Sequence, residues 1–151
     1  MNQSVSATEL IVAVGAGRMG RGIAICFALA GYTIRLVDVK TRPADDFKVL
    51  CDDAKREISA TLSMLSDFGL ISRQHVDVTA ARVSYFALDD SEKALHDADV
   101  IFEAVPETLS AKQDAFALIC QQARADALIA STTSTILSLS LIHISEPTRP
   151  Y

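Results

Sequence analysis

Leu10-Ile11-Val12-Ala13-Val14-Gly15-Ala16-Gly17-Arg18-Met19-Gly20-Arg21-Gly22 changes character at its sixth residue. The apolar run Leu10–Val14 reads as a buried parallel strand. It breaks into Gly15-x-Gly17-x-x-Gly20, after which Met19, Ile23, Cys26, Phe27 and Ala30 recur on one helical face. Strand, glycine turn and helix in this order form a cradle for a pyrophosphate. Gly15 permits the tight turn. Gly17, lacking a Cβ, lets the backbone approach phosphate oxygens. Gly20 allows close helix–strand packing, and Gly22 is expected to extend that contact. The free N–H groups and positive end of the helix face the anion.

A second strand pattern, Thr33-Ile34-Arg35-Leu36-Val37, ends at Asp38, 18 residues after Gly20. An acid at about this distance holds the ribose hydroxyls of a dinucleotide, and its charge favours NAD over NADP. Lys40 and Arg42 follow closely. The remaining chain alternates between the two periodicities. Pro43 and the acids Asp45 and Asp46 suit a helix start. A long amphipathic helix follows, carried by Phe47, Leu50, Cys51, Ala54, Ile58, Leu62, Leu65 and Phe68 and stopped at Gly69. Ser72–Arg82 reads as a short helix or turn, Val83–Phe86 as a third strand and Ser91–Leu95 as a short helix. Val100–Ala104 reads as a fourth strand, Lys112–Ala125 as a helix and Ala127–Ser131 as a fifth strand. The alternation predicts an α/β fold, a Rossmann-type doubly wound parallel sheet, with Gly15, Asp38, Ala104 and the residues after Ser131 meeting at strand carboxyl ends.

The totals fit that class. The chain has 151 residues, half of them apolar, 22% charged, with a net charge of −5. That balance supplies no basic footprint for nucleic acid. No apolar run reaches membrane-spanning length, and the N-terminus lacks the basic start of a secretory signal, so a cytoplasmic protein is expected. Cys26, Cys51 and Cys120 have no metal-ligand spacing and read as reduced thiols, Cys26 as core packing. His75 and His96 read as solvated side chains.

Three separated segments resemble one family. They are Val14-Gly15-Ala16-Gly17-Arg18-Met19-Gly20-Arg21-Gly22-Ile23-Ala24, Phe102-Glu103-Ala104-Val105-Pro106-Glu107-Thr108-Leu109-Ser110-Ala111-Lys112, and Ile129-Ala130-Ser131-Thr132-Thr133-Ser134-Thr135-Ile136. Together they resemble the NAD-binding domain of the 3-hydroxyacyl-CoA dehydrogenases, from about Leu10 to Ser138. The resemblance implies an oxidoreductase that moves a hydride between NAD and the 3-hydroxy group of a 3-hydroxyacyl-CoA, in fatty acid or hydroxybutyryl-CoA metabolism. It implies that Gly15, Ala16, Gly17, Arg18, Met19 and Gly20 hold the pyrophosphate and Asp38 the adenosine ribose. Ala104 and Glu107 would lie at the nicotinamide end, with Lys112 completing that cofactor site. Ser134 would contact the substrate's 3-oxygen. The partner is a small molecule, an acyl-CoA, and the intact enzyme is expected to be a homodimer through a C-terminal helical domain.

Several residues depart from the pattern. Thr132 stands where the family has Asn. The family holds coenzyme A through a serine and a lysine on the long helix; Thr61 is the nearest match to the serine, and no lysine follows Arg56 there. Two further readings therefore stand beside the first: a dehydrogenase of a hydroxy acid or carnitine-like alcohol without coenzyme A, and a non-catalytic NAD-binding protein. The family's catalytic His-x-x-Asn-Pro segment and its partner Glu are expected beyond this chain, so no catalytic residue is assigned within it; His143 lacks the Asn-Pro. Leu139–Tyr151 is expected to be a non-native tail, because Leu139-Ser140-Leu141-Ile142-His143-Ile144 resembles a translated transposase adapter from sequencing libraries. The dinucleotide-binding unit is then 1–138, its sheet incomplete at the C-terminal end and the helical domain absent.

Overall fold

A computed structural model describes residues 9–136. The expectations for His143 and for the tail at 139–151 lie outside the described residues. Within them the order is β1 (Leu10–Val14), α1 (Arg18–Leu29), β2 (Thr33–Val37), α2 (Ala44–Asp67), α3 (His75–Ala80), β3 (Val83–Phe86), a 3₁₀ turn (Leu88–Asp90), α4 (Ser91–Leu95), β4 (Val100–Glu103), α5 (Leu109–Gln122) and β5 (Leu128–Ser131). The five strands form one all-parallel sheet in the order β3-β2-β1-β4-β5. The chain runs outward from β1 through β2 to β3, then returns to lay β4 on the other side of β1. That reversal opens a crevice at the carboxyl ends of β1 and β4, where ligands of such sheets bind.

Side chains that alternate along the strands build two cores. Ile11, Ala13, Ile34, Leu36 and Val83 join Ala24 and Ala28 of α1, Ile58 and Leu62 of α2 and Val76 of α3 on one face. Val12, Val14, Val37 and Ile101 join Ala94 and Leu95 of α4 and Ala115 and Ile119 of α5 on the other. A sheet covered on both faces explains why β1 is a continuous apolar run. Complete burial of Ile34 or Leu62 stabilises the fold by about 1.5–3 kcal/mol per side chain. Among the described residues β5 pairs with β4 alone, and its Leu128 is 64% exposed.

Four expectations need correction. The buried stripe of α1 is Gly20, Ala24 and Ala28; Met19 and Cys26 are exposed. The helix lies so close to the sheet that only residues with little or no side chain fit beneath it, which turns the larger ones outward or sideways. Phe27 is partly buried and packs against Phe102 with ring centroids 5.2 Å apart. Phe68 falls past the end of α2 and is 73% exposed. Helix α5 starts at Leu109, three residues earlier than expected, because Thr108 caps it by accepting from the Ala111 N–H. Gly22 makes no close contact: a Cβ there would meet nothing within 4 Å.

Gly20 differs completely, since a Cβ would stand 1.8 Å from the Gly15 carbonyl oxygen. Replacing it forces α1 off the turn. Gly20→Ala is expected to cost about 2–3 kcal/mol, as overpacking does, whereas Gly22→Ala is expected to stabilise the helix by about 1 kcal/mol. Urea unfolding of the two variants checks the pair; equal midpoints would remove the steric basis.

Candidate functional site

Each strand end along the crevice supplies one feature. At the end of β1, Gly15 has φ +120°, and a Cβ there would sit 2.6 Å from the Ala104 carbonyl oxygen. The first turn and the loop after β4 therefore touch backbone to backbone. The Gly15 N–H donates to Val37 O at 2.8 Å and the Ala104 N–H to Val14 O at 2.9 Å, continuing the ladders beyond the strands. Helix α1 then begins at Gly17 with no side-chain cap and no acid in its first turn. Helix α5 is capped by its own threonine, and α2 carries Asp45 and Asp46 in its first turn. The start of α1 thus has neither a side-chain cap nor an acid, which suits it to an anion.

The crevice has a volume of about 680 Å³. Gly15, Ala16, Gly17, Arg18 and Met19 line its floor, Asp38 one end, and Ala104, Glu107 and Ser134 the other. A Cβ on Gly17 would meet nothing within 4 Å, so the space above it is open to a ligand. Asp38, 4% exposed, directly follows β2. Its carboxylate accepts from the Lys40 N–H at 3.3 Å and from Arg42 Nε at 2.5 Å. A carboxylate offers about four lone-pair sites, so two remain for ribose hydroxyls. An open glycine floor, an uncapped helix start and a buried acid fit a dinucleotide.

Glu107 organises the opposite end. Its Oε1 accepts from Thr133 Oγ1 at 2.7 Å, from the N–H groups of Ser134 and Thr135 at 3.0 Å each, and from Thr135 Oγ1 at 3.0 Å. These donors, led by the Thr133 hydroxyl, hold its pKa well below the ordinary glutamate value. The loop after β5, which carries Ser134, is thereby tied to the loop after β4.

Of the residues expected at the site, Gly20 and Lys112 stand apart from the lining. Gly20 acts beneath it as the packing point of α1. Lys112 is 0% exposed on α5, with Nζ 2.8 Å from Glu103 Oε2 and 3.1 Å from Glu107 Oε2. It supports the wall and does not face the crevice. Thr132, the departure from the family pattern, also lines the crevice, as do Arg21, Val39 and Leu50, to which the motifs assign no role. Glu103 was missed as well, although an acid ending an apolar strand is itself a signal that a partner must lie nearby. Among the described residues no cluster of His, Cys, Asp and Glu could hold a metal, and no helix is long and apolar enough to cross a membrane.

The sign of the Glu107 effect is fixed by its lowered pKa. The native state keeps this carboxyl ionised where the unfolded chain protonates it. Its contribution is complete above the ordinary value of 4.5 and is lost as pH falls toward the lower native value. The stability difference between the unmodified chain and Glu107→Gln is expected to be constant from pH 7 to pH 5 and to shrink on further acidification. Thermal melts across that range test it; a difference that grew in acid would contradict the assigned bonds.

Comparison with known proteins agrees with this geometry. The 3-hydroxybutyryl-CoA dehydrogenase of Bradyrhizobium diazoefficiens is 32% identical over 124 residues, covering 82% of this chain and 39% of that protein. The 5-formyl-3-hydroxy-2-methylpyridine 4-carboxylate 5-dehydrogenase of Mesorhizobium japonicum is 32% identical over 140 residues, 92% of this chain and 41% of that protein. The solved 3-hydroxybutyryl-CoA dehydrogenase of Escherichia coli superposes with a TM-score of 0.73 at 26% identity, covering 88% of this chain and 26% of that one. The chain thus spans about two fifths or less of the length of these relatives. The family model for the 3-hydroxyacyl-CoA dehydrogenase NAD binding domain matches residues 10–149, and the chain belongs to that family, of which it carries the NAD binding domain.

Proposed function

We propose that the crevice binds NAD with its pyrophosphate over Gly15–Met19, its adenosine ribose at Asp38 and its nicotinamide toward Ala104, Glu107 and Ser134. The observation that carries this reading is the convergence of an uncapped helix start, an open glycine floor and a buried acid on one crevice at the strand reversal. In the intact enzyme the reaction is oxidation of the secondary alcohol of a 3-hydroxyacyl-CoA to a ketone. NAD, when bound, supplies the hydride acceptor. In this reading Ser134, which lines the crevice, holds the substrate oxygen. Loss of the hydroxyl proton needs a base. Neither His75 nor His96 lines the crevice, so among the described residues no imidazole is placed to take it. The 151-residue chain by itself is therefore expected to bind coenzyme without turnover. We assign dimer formation to the C-terminal part of the intact enzyme.

One observation favours a second reading, in which the substrate carries no coenzyme A. The Thr61 hydroxyl donates to the Glu57 carbonyl at 3.0 Å, inside its own helix. In the groove beside it, Arg21 pairs with Glu57 and Arg56 with Asp53. Cations already matched by acids are poorly suited to the phosphates of coenzyme A. The pyridine carboxylate dehydrogenase among the relatives is the kind of enzyme this reading would join. Turnover of acetoacetyl-CoA against free acetoacetate by the intact enzyme, with NADH, separates the two readings.

Titration of the chain with NADH and NADPH, followed by nicotinamide fluorescence, tests the cofactor reading. NADH is expected to bind more tightly than NADPH. Asp38→Ala leaves the Arg42 guanidinium without its carboxylate, so the NADH/NADPH affinity ratio should fall by roughly tenfold, about 1.4 kcal/mol. No NADH binding by the unmodified chain would overturn the assignment. NADH oxidation with acetoacetyl-CoA by the chain alone would overturn its expected lack of turnover.

A further inference from the structure

Arg21 lines the crevice, yet the cofactor reading gives it nothing to do. Its side chain is 16% exposed, low for a guanidinium on a helix beside open space. Two contacts hold it there. Its Nε donates to the Ala16 carbonyl at 3.0 Å, back across the glycine turn, and its Nη1 donates to the Glu57 carboxylate on α2. One arginine therefore ties the turn to a helix that lies 36 residues further along the chain.

The bond to Ala16 completes a pattern. The Gly15 oxygen stands under Gly20, and the Gly17 oxygen accepts from the Arg21 N–H at 3.0 Å. With Ala16 between them, three consecutive carbonyls turn back on α1. Backbone holds the first and third. Among the described residues the middle one is held by the Arg21 side chain alone. A peptide unit is planar and trans, so an Ala16 oxygen fixed toward α1 turns the Gly17 N–H the opposite way. That N–H has no acceptor among the described residues, and the space over Gly17 is open. A peptide next to a glycine flips at little steric cost. A flip here would present an oxygen where the N–H now stands, and an oxygen repels an anion.

We propose that Arg21 is a positioning residue: its Nε bond to Ala16 locks the Ala16–Gly17 peptide with the N–H turned away from α1, toward the pyrophosphate, and Glu57 anchors the guanidinium that does so. The proposal rests on the placement of the pyrophosphate over the glycine turn given above. Arg21 acts on the phosphates through the backbone, because its charge is already matched by Glu57. Glu57 lines the groove on α2 and not the crevice, so the anchor lies outside the coenzyme site.

The test is Arg21→Lys in the full 151-residue chain. Lysine has a methylene where arginine has Nε, so the variant keeps the charge opposite Glu57 and loses the donor to Ala16. Affinity for NADH and for ADP-ribose, both of which carry the pyrophosphate, is expected to fall roughly tenfold. Affinity for adenosine, which has no phosphate, should stay within about twofold, the scatter of a neutral change. Glu57→Gln, at a half-exposed position, keeps the test available if Arg21→Lys does not fold. It should lower NADH affinity about threefold and add nothing when combined with Arg21→Lys, since both act on one contact. Full NADH affinity in Arg21→Lys would show that the charge and not the Nε bond matters, and would overturn the proposal. An equal loss for adenosine would reduce the contact to a stability element and overturn it as well. If the unmodified chain bound neither NADH nor ADP-ribose, the coenzyme reading would fall and the proposal with it, a result distinct from variants that bind as tightly as the unmodified chain.

Discussion

Helix α1 rests on the turn that precedes it with no side chain between them. The Gly15 carbonyl oxygen occupies the place where Gly20 would otherwise carry a Cβ. This backbone contact sets the angle and distance at which α1 leaves the sheet. It brings the first turn of the helix to the edge of the crevice, and it limits the face of α1 that meets the sheet to Gly20, Ala24 and Ala28. A second contact of the same kind, Gly15 against the Ala104 carbonyl, brings the two sides of the strand reversal together. The floor of the crevice is therefore a backbone surface. Its shape depends on where side chains are missing.

Charge is distributed unevenly around that floor. The helix start proposed to meet the pyrophosphate has neither a cap nor an acid. The carboxylate proposed to meet the ribose is buried and steadied by Arg42. At the end proposed for the nicotinamide, Glu107 collects donors from the neighbouring loop and is backed by the Lys112 ammonium. Thr108 caps α5, and α2, α3 and α4, though without a side-chain cap, carry acids in their first turns; among the described helices α1 has neither. That combination is the clearest electrostatic mark of the site.

Much of this is legible in the sequence. The bounds of β1 and β2 follow from largely apolar runs ended by Gly15 and Asp38, and period and length suffice for strands buried on both faces. The glycine turn, Asp38, Ala104, Glu107 and Ser134 were legible as sequence motifs, and the fold brings them to one crevice. What the sequence hid is three-dimensional. The face of α1 was misread because large apolar residues outweigh small ones in a periodic pattern, while close packing selects for the small ones. Lys112 was assigned to the crevice because a motif gives membership of a site but not depth within it. Glu103 went unnoticed because its partners lie on α5 and at the end of β5, separated from it in sequence.

The strand order also constrains when the binding site can exist. The reversal leaves β4 hydrogen-bonded to β1 across most of the chain, as the Leu10 N–H donating to the Asp99 carboxylate over a separation of 89 residues illustrates. Closing so long a loop is entropically slow and brings no reward until the distant partner docks. A growing polypeptide released from its N-terminus onward would therefore display the glycine turn well before it had the opposite wall. Affinity for the coenzyme would arise only as β4 and β5 join, which makes ligand uptake a late reporter of folding.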